Sequence, residues 1–180
     1  MVADPRVRAA AVAVATGVGV KKSASEDRLI PRVKIHRLPG VKELPTRATP
    51  GSAALDVCAC LPPDTVLTVA PGERVAVPTG LTFEIPPEYF ISLRPRSGLA
   101  LRQGLILPNA PATIDSDFRG ELKVIVGNLG DATIQIQHGE RIAQLLLERV
   151  QQFEWEEVDH LEQLGGSERG AGGFGSTGLA

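Results

Sequence analysis

The chain has 180 residues, a formal net charge of −2, 43% hydrophobic residues and two cysteines. This length fits one domain of ordinary size with residues left over for tails. The small net charge argues against binding to nucleic acid or to an anionic membrane. No apolar run approaches the roughly eighteen residues of a membrane span, so we expect a soluble protein whose partner is a small molecule.

The N-terminal segment, residues 1–30, is predicted to lie outside the domain. Its first part, "MVADPRVRAAAVAVATGVGVKK", places Asp4 and Pro5 where a targeting signal needs basic residues, and its apolar stretch is poor in Leu and Phe. A disordered extension is favoured over the alternative, a targeting peptide. We expect a compact domain over residues 31–164 and a flexible glycine-rich arm over residues 165–180.

The middle of the chain has the apolar periodicity of β-strands. Apolar residues alternate with polar ones in segments bounded by turn formers such as "LPPD", "APGE" and "NLGD". Short, evenly spaced strands are typical of an all-β sandwich, jelly roll or barrel. The clearest segments are residues 65–69, 80–85, 89–94, 121–126 and 133–137.

Helical signals are few. One short helix is predicted over residues 96–104, where Ser97 can cap the first turn. A weaker candidate lies in "EEVDHLEQL" near the end of the domain.

The two cysteines, Cys58 and Cys60, are two residues apart and would share one face of a strand. This spacing fits neither a disulfide framework nor a Cys-x-x-Cys redox or zinc pair. We expect buried, reduced thiols in a reducing compartment, and therefore a cytoplasmic protein.

Two polar stretches in the first half of the domain are candidates for chemistry. "AALDVCA" places Asp56 inside a strand, where a carboxylate either faces water or has a function. "PRSGLA" places Arg96 and Ser97 at a helix start, where free N–H groups, a guanidinium and a hydroxyl can bind phosphate. An ordinary helix start looks much the same.

Two further stretches follow. "NAPATIDSDFRGE" carries Asp115 and Asp117 in a hairpin or bend, and one of them could act as a general base toward water. If the hairpin is open at its tip, its free N–H and C=O groups could also hydrogen-bond to the edge of a nucleobase. The alternatives are a turn with exposed acids or a chance metal pair. "GERIAQLLL" places Gln144 in an apolar strand, where its amide needs partners.

The glycine-rich end of the chain, "RGAGGFGSTG", combines flexibility with specific side chains. It lacks the Gly-Lys-Ser/Thr ending of a Walker A loop. Its glycines would let the backbone wrap an anion, while Ser176 and Thr177 could donate to phosphate oxygens. Arg169 could pair with a terminal phosphate, and Phe174 offers a flat face for a base. Together these features indicate a nucleoside phosphate.

In this order the five stretches resemble the five motifs of the homotrimeric dUTP pyrophosphatases (dUTPases), and the resemblance runs from about residue 35 to residue 178. It implies a distorted jelly-roll-like β-barrel of the β-clip type. It also implies a homotrimer with three active sites shared between subunits. The reaction would be hydrolysis of dUTP to dUMP and pyrophosphate, which keeps uracil out of DNA and supplies dUMP for dTMP synthesis.

The resemblance also implies the roles of individual residues. Asp115 matches the aspartate that deprotonates the water attacking the α-phosphorus. Asp56 matches an aspartate that holds Mg²⁺ through water, with phosphate oxygens as direct ligands of the ion. Phosphate contacts are implied for Arg96, Ser97 and Gly98, and Gln144 would contact the same region. Uracil would be bound by Asn109 and by the backbone around Thr113, Ile114 and Asp115. Further substrate contacts are implied for Lys123 and, in the arm, for Arg169, Phe174, Ser176 and Thr177.

The chain departs from the family pattern at Phe118, where tyrosine usually packs under the deoxyribose. The ring remains and only a hydroxyl is lost, so we expect discrimination against UTP to survive. Milder departures are Ala54 and Ala112 in place of glycine and Glu140 in place of aspartate.

Two rival functions remain open at this point. One is dCTP deaminase, which resembles dUTPases in fold, but Ile125 occupies the position of its catalytic glutamate. The other is a non-catalytic trimer, because fold alone does not fix function.

Overall fold

The computed structural model describes residues 30–173 of the chain. The chain divides into two units, Met1–Pro31 and Arg32–Ala180, and the strands and helices below all belong to the second. Most of the predicted N-terminal extension, residues 1–29, and the last part of the predicted arm, residues 174–180, lie outside the described residues. The predicted boundaries at residues 31, 164 and 165 stay predictions.

The described part of the chain is built almost entirely of short strands. One α-helix, α1 (Ser97–Gln103), and one 3-10 turn, Leu161–Leu164, are the only helical elements in residues 30–173. The strands are β1 Lys34–Arg37, β2 Leu55–Cys58, β3 Val66–Val69, β4 Arg74–Pro78, β5 Leu81–Glu84, β6 Tyr89–Arg94, β7 Leu105–Ile106, β8 Ala112–Ile114, β9 Lys123–Asn128, β10 Ile134–Gln137 and β11 Arg141–Arg149.

The strands pair in antiparallel fashion into small sheets. The largest has the order β2-β11-β6-β8, a second has the order β4-β9-β7, and two pairs, β1-β5 and β3-β10, complete the set. Apolar side chains from nearly all of these strands pack into one core, which includes Val57, Leu93 and Val126. The expected all-β, jelly-roll-like fold with one short helix is confirmed.

Alternation of apolar and polar residues located five of the eleven strands, namely β3, β5, β6, β9 and β10. β10 buries Ile134 and Ile136 and exposes the glutamines between and after them. This is the pattern expected of a strand, in which successive side chains point to opposite faces of the sheet. β6 has the predicted bounds, and the other four segments shift by one or two residues at an end.

Two helical details were predicted wrongly. Helix α1 begins at Ser97 itself, and Arg96 is the N-cap residue, without a side-chain cap hydrogen bond. Ser97 cannot cap a turn of which it is already a part. The second candidate helix contracts to the single 3-10 turn at Leu161–Leu164. No helix in residues 30–173 has the length and apolar character needed to cross a membrane.

Candidate active site

Asp56 is the centre of a hydrogen-bonded group that includes three side chains from other parts of the chain. The Asp56 side chain is only 10% exposed. Its Oδ1 accepts from Arg96 Nε at 3.1 Å and from Gln144 Nε2 at 3.4 Å, and its Oδ2 accepts from Arg141 Nη1 at 3.3 Å. We call these four residues the Asp56 cluster. The strand carboxylate is thus a bonded group rather than one facing water.

Strand pairing brings these residues together. Asp56 in β2 lies opposite Gln144 in β11, and β11 also pairs with β6. Arg96 follows the end of β6, and its Nη1 donates to the carbonyl oxygen of Arg141 at 3.2 Å. The cluster therefore holds two guanidiniums against one carboxylate, an excess of positive charge that suits an anionic ligand.

Arg141 was missed by the sequence reasoning. It is three residues before Gln144, and an odd spacing puts two side chains on opposite faces of a regular strand. The register of β11 against β2 shifts between Arg141 and Ala143, which marks a β-bulge. A bulge adds one residue and re-aims the side chains beside it, so both Arg141 and Gln144 reach Asp56.

A magnesium ion fits this cluster only if a bound substrate supplies further oxygen ligands. The cluster offers one carboxylate, and no group of three or more His, Cys, Asp or Glu within residues 30–173 could hold a metal. Mg²⁺ is commonly bound by one or two carboxylates together with waters and substrate phosphates. Asp56 therefore fits an ion that arrives with a triphosphate, not a site formed by protein alone.

A second group of predicted residues lies at the other edge of the same sheet. β8 pairs with β6, with Thr113 opposite Ser92, and it has no partner on its other side among the described strands. Its outer edge leaves backbone N–H and C=O groups available to a ligand. The open edge expected around Thr113 and Ile114 is present, although as a sheet edge rather than a hairpin tip.

Asp115 directly follows β8 and is exposed. The N–H of Phe118 donates to the carbonyl oxygen of Asp115 at 3.2 Å, which closes a turn. We call residues 115–121 the Asp115 turn. Phe118 is 44% exposed. A carboxylate facing water and a partly exposed ring therefore share one short turn.

The remaining predicted residues are more scattered. Ser97 and Gly98 begin α1 beside Arg96, while Asn109 and Lys123 are exposed. Arg169 is exposed, and its Nε donates to the carbonyl oxygen of Gly172 at 2.7 Å. Phe174, Ser176 and Thr177 lie outside the described residues.

The structure brings Asp56, Arg96 and Gln144 into one cluster and places Asp115 and Phe118 in one turn. Within residues 30–173, no hydrogen bond or ion pair joins the Asp56 cluster to the Asp115 turn.

The two cysteines lie next to the cluster. Both are free thiols, as predicted, and they are half-buried where buried thiols were expected. Burial raises the pKa of the Cys58 thiol, and the nearby Asp56 charge raises it further. Burial also raises the pKa of Cys60, with a smaller contribution from Glu121. Both residues line a cavity of about 510 Å³ that reaches Asp56.

Comparison with known proteins gives a consistent answer. The family model described as dUTPase matches residues 41–178. A deoxyuridine 5'-triphosphate nucleotidohydrolase of Desulfotalea psychrophila is 52% identical over 136 residues, which cover 76% of this chain and 87% of that protein. One of Methylocella silvestris is 50% identical over 150 residues, which cover 82% of this chain and 92% of that protein.

Solved structures show the same fold at lower identity. The dUTPase of Staphylococcus bacteriophage 80alpha with dUPNHPP matches with a TM-score of 0.72 and 24% identity, covering 82% of this chain and 99% of that one. A mutant dUTPase from phage phi11 of S. aureus, described as coordinating a structural Mg(II) ion, matches with a TM-score of 0.63 and 21% identity, covering 73% of this chain and 99% of that one. On the family model and the two relatives at half identity, the chain belongs to the dUTPase family of hydrolases.

Proposed function

We propose that this chain hydrolyses dUTP to dUMP and pyrophosphate by attack of water on the α-phosphorus. One observation carries the proposal beyond family membership. Three residues from three separate motifs, Asp56, Arg96 and Gln144, meet in one cluster. Arg141 adds a second guanidinium to this cluster and with it an excess of positive charge. A triphosphate is the part of the substrate that such a cluster would bind.

The phosphate end of the site is assigned to the Asp56 cluster and to the start of α1. Arg96 uses Nε and Nη1 within the protein, and its Nη2 makes no hydrogen bond within residues 30–173, so this nitrogen is free for a phosphate oxygen. Ser97 and Gly98 would add a hydroxyl and a backbone N–H beside it. Gln144, held by Asp56, would contact the same region.

Asp56 would hold magnesium through water. When bound, the ion would neutralise charge on the triphosphate and stabilise the leaving pyrophosphate. Removal of divalent cations with EDTA should abolish turnover, and added Mg²⁺ should restore it.

Asp115 is assigned as the general base. Its exposed carboxylate, at the end of β8, can accept a proton from a water placed against the α-phosphorus. The proton would pass from that water to the carboxylate as the oxygen attacks, and the bond from the α-phosphorus to the bridging oxygen would break. This step requires the Asp56 cluster, which would bind the phosphates, and the Asp115 turn to lie in the same active site.

The base and sugar are assigned to the open edge of the sheet. The edge of β8 around Thr113 and Ile114 would hydrogen-bond uracil, together with Asn109. A close-fitting edge would exclude the methyl group of thymine, and cytosine would present a donor where uracil presents an acceptor. Phe118 would pack against the deoxyribose.

A homotrimer would complete the site. Because the resemblance to dUTPases implies active sites shared between subunits, a neighbouring subunit would supply either the Asp56 cluster or the Asp115 turn. The arm, residues 165–180, would close over the nucleotide with Arg169, Phe174, Ser176 and Thr177, and Lys123 would add a contact. The compact domain at residues 31–164 and a cytoplasmic location also stay predictions.

The testing experiment is a panel of dUTP, UTP, dCTP and dTTP with release of pyrophosphate and of ammonia both measured. We expect pyrophosphate from dUTP alone. Ammonia from dCTP would instead support a deaminase, and binding without any product would support a non-catalytic protein. Comparable rates with dUTP and UTP would contradict the role given to Phe118. Sedimentation of the purified protein tests the trimer.

A further inference from the structure

The ring of Phe118 lies against the backbone of Gly120. A Cβ atom added to Gly120 would lie 2.6 Å from Cζ and 2.9 Å from Cε2 of the Phe118 ring. Carbon atoms in contact normally stay about 3.5 Å or more apart. Even a methyl group at position 120 would therefore have to move either the ring or the backbone.

The backbone on both sides of this contact is held in place. Arg119 Nη1 donates to the carbonyl oxygens of Ser116 at 2.6 Å and of Phe118 at 3.0 Å. After the contact, the carboxylate of Glu121 accepts from the N–H of Gly80 at 2.8 Å. The ring can turn about its own side-chain bonds into another rotamer, so the ring rather than the backbone should give way.

Alanine itself suits the backbone at this position. Gly120 does not have a positive φ, unlike Gly80 and Gly104, so a side chain there adds no backbone strain. What glycine provides at position 120 is space for the ring. The requirement for glycine is therefore a requirement of the site rather than of the fold.

The position of the ring matters because of its neighbours in the Asp115 turn. The N–H of Phe118 is bonded to the carbonyl oxygen of Asp115, so the backbone that carries the ring is held close to the backbone of the proposed base. We propose that Gly120 is a specificity-determining residue, which makes room for deoxyribose by letting the Phe118 ring lie against the backbone. This inference rests on the proposed function, in which the sugar packs on that ring.

The Gly120→Ala variant is the test. A methyl group would push the ring outward into the space of the sugar, so binding of deoxyuridine nucleotides should weaken while the hydrolytic groups are unchanged. We expect KM for dUTP and the dissociation constant of dUMP to rise about tenfold, as for one methylene in a tight pocket, with kcat nearly unchanged. We expect the wild type to exclude UTP already, so the variant weakens mainly the reaction with dUTP. The preference for dUTP over UTP should therefore fall.

Two further variants act as controls. Gly51 has no atom within 4 Å of an added Cβ and no positive φ, so Gly51→Ala should behave as wild type. In a Phe118→Ala background the added methyl group at position 120 has no ring to displace. Gly120→Ala should then change KM no further, as expected for two residues that act through one contact.

The outcomes separate this inference from the proposed function. If the wild type releases no pyrophosphate from dUTP, the proposed function fails. If the wild type is active and Gly120→Ala keeps its KM for dUTP, only the role of Gly120 is overturned. A Gly120→Ala protein that melts at a lower temperature or does not fold also overturns it, because the backbone rather than the ring would then have moved.

Discussion

The Asp56 cluster and the Asp115 turn differ in how far a single chain completes them. The carboxylate at the centre of the cluster is enclosed, since the Asp56 side chain is 10% exposed and bonded to three partners. The turn is open, because Asp115 is exposed and Phe118 is 44% exposed. Strand pairing thus builds the part assigned to the phosphates within one chain, whereas the part assigned to base, sugar and water is exposed.

The largest expected effect comes from the open region. Asp115→Asn should lower kcat by about 10²–10⁴-fold, the usual contribution of a general base, and leave binding of dUMP detectable. Turnover and nucleotide binding are measured side by side.

Asp117→Asn is the matched control, because Asp117 is an exposed carboxylate in the same turn. It should keep most of the activity. If Asp117→Asn loses turnover and Asp115→Asn does not, the two aspartates have been assigned the wrong way round.

Removal of residues 165–180 should have the next largest effect. Without the arm, turnover of dUTP should fall on the order of 10²-fold, because the nucleotide would no longer be held in position. The buried apolar core described in residues 30–173 ends at Leu145, so the melting temperature and assembly should be unchanged. A shortened protein with normal kcat/KM would show that these residues act only as a linker.

A smaller effect is expected for the enclosed region. Arg141→Gln removes the partner of Asp56 Oδ2, and a hydrogen bond to a charged group contributes about 1.5 kcal/mol. We expect kcat/KM for dUTP to fall about tenfold as the Asp56 carboxylate loses its orientation. Stability should hardly change, because the Arg141 side chain is 57% exposed.

Arg149→Gln provides the comparison for Arg141. Arg149 is an exposed arginine on the same strand, and its side chain makes no hydrogen bond or ion pair within the described residues. If the two variants have equal activity, the assignment of Arg141 to the site is wrong.

The smallest effect concerns the thiol beside the cluster. The negative charge of Asp56 is one cause of the raised pKa of Cys58. Asp56→Asn should therefore lower that pKa, increase the thiolate fraction at a fixed pH near 8 and speed alkylation by iodoacetamide, since the thiolate is the reactive form. Mass spectrometry of the labelled peptides gives the rate at each cysteine.

Cys60 serves as the internal control for this measurement. Its pKa is raised by burial and by Glu121, not by Asp56, so its alkylation rate should stay constant. Faster labelling of both thiols would point to general loosening of the structure instead.

Much of the fold was predictable because its signals are local. Alternating burial along β10 follows from period two, and the predicted bounds of β6 agree with the structure. The prediction failed where one residue changes the geometry. Ser97 has the chemistry of a cap but lies one position inside the helix, and Arg141 is moved by a bulge that no pattern of residue types indicates.

By itself the sequence determined the all-β class, the residue types of the motifs and the family to which they point, because each depends on short stretches of neighbouring residues. Only the tertiary structure decided which groups meet. The partners of Asp56 are 40, 85 and 88 residues away in the chain. Their contacts depend on the register of hydrogen-bonded strands and on one bulge, since a shift of a single residue would turn the side chains to the other face.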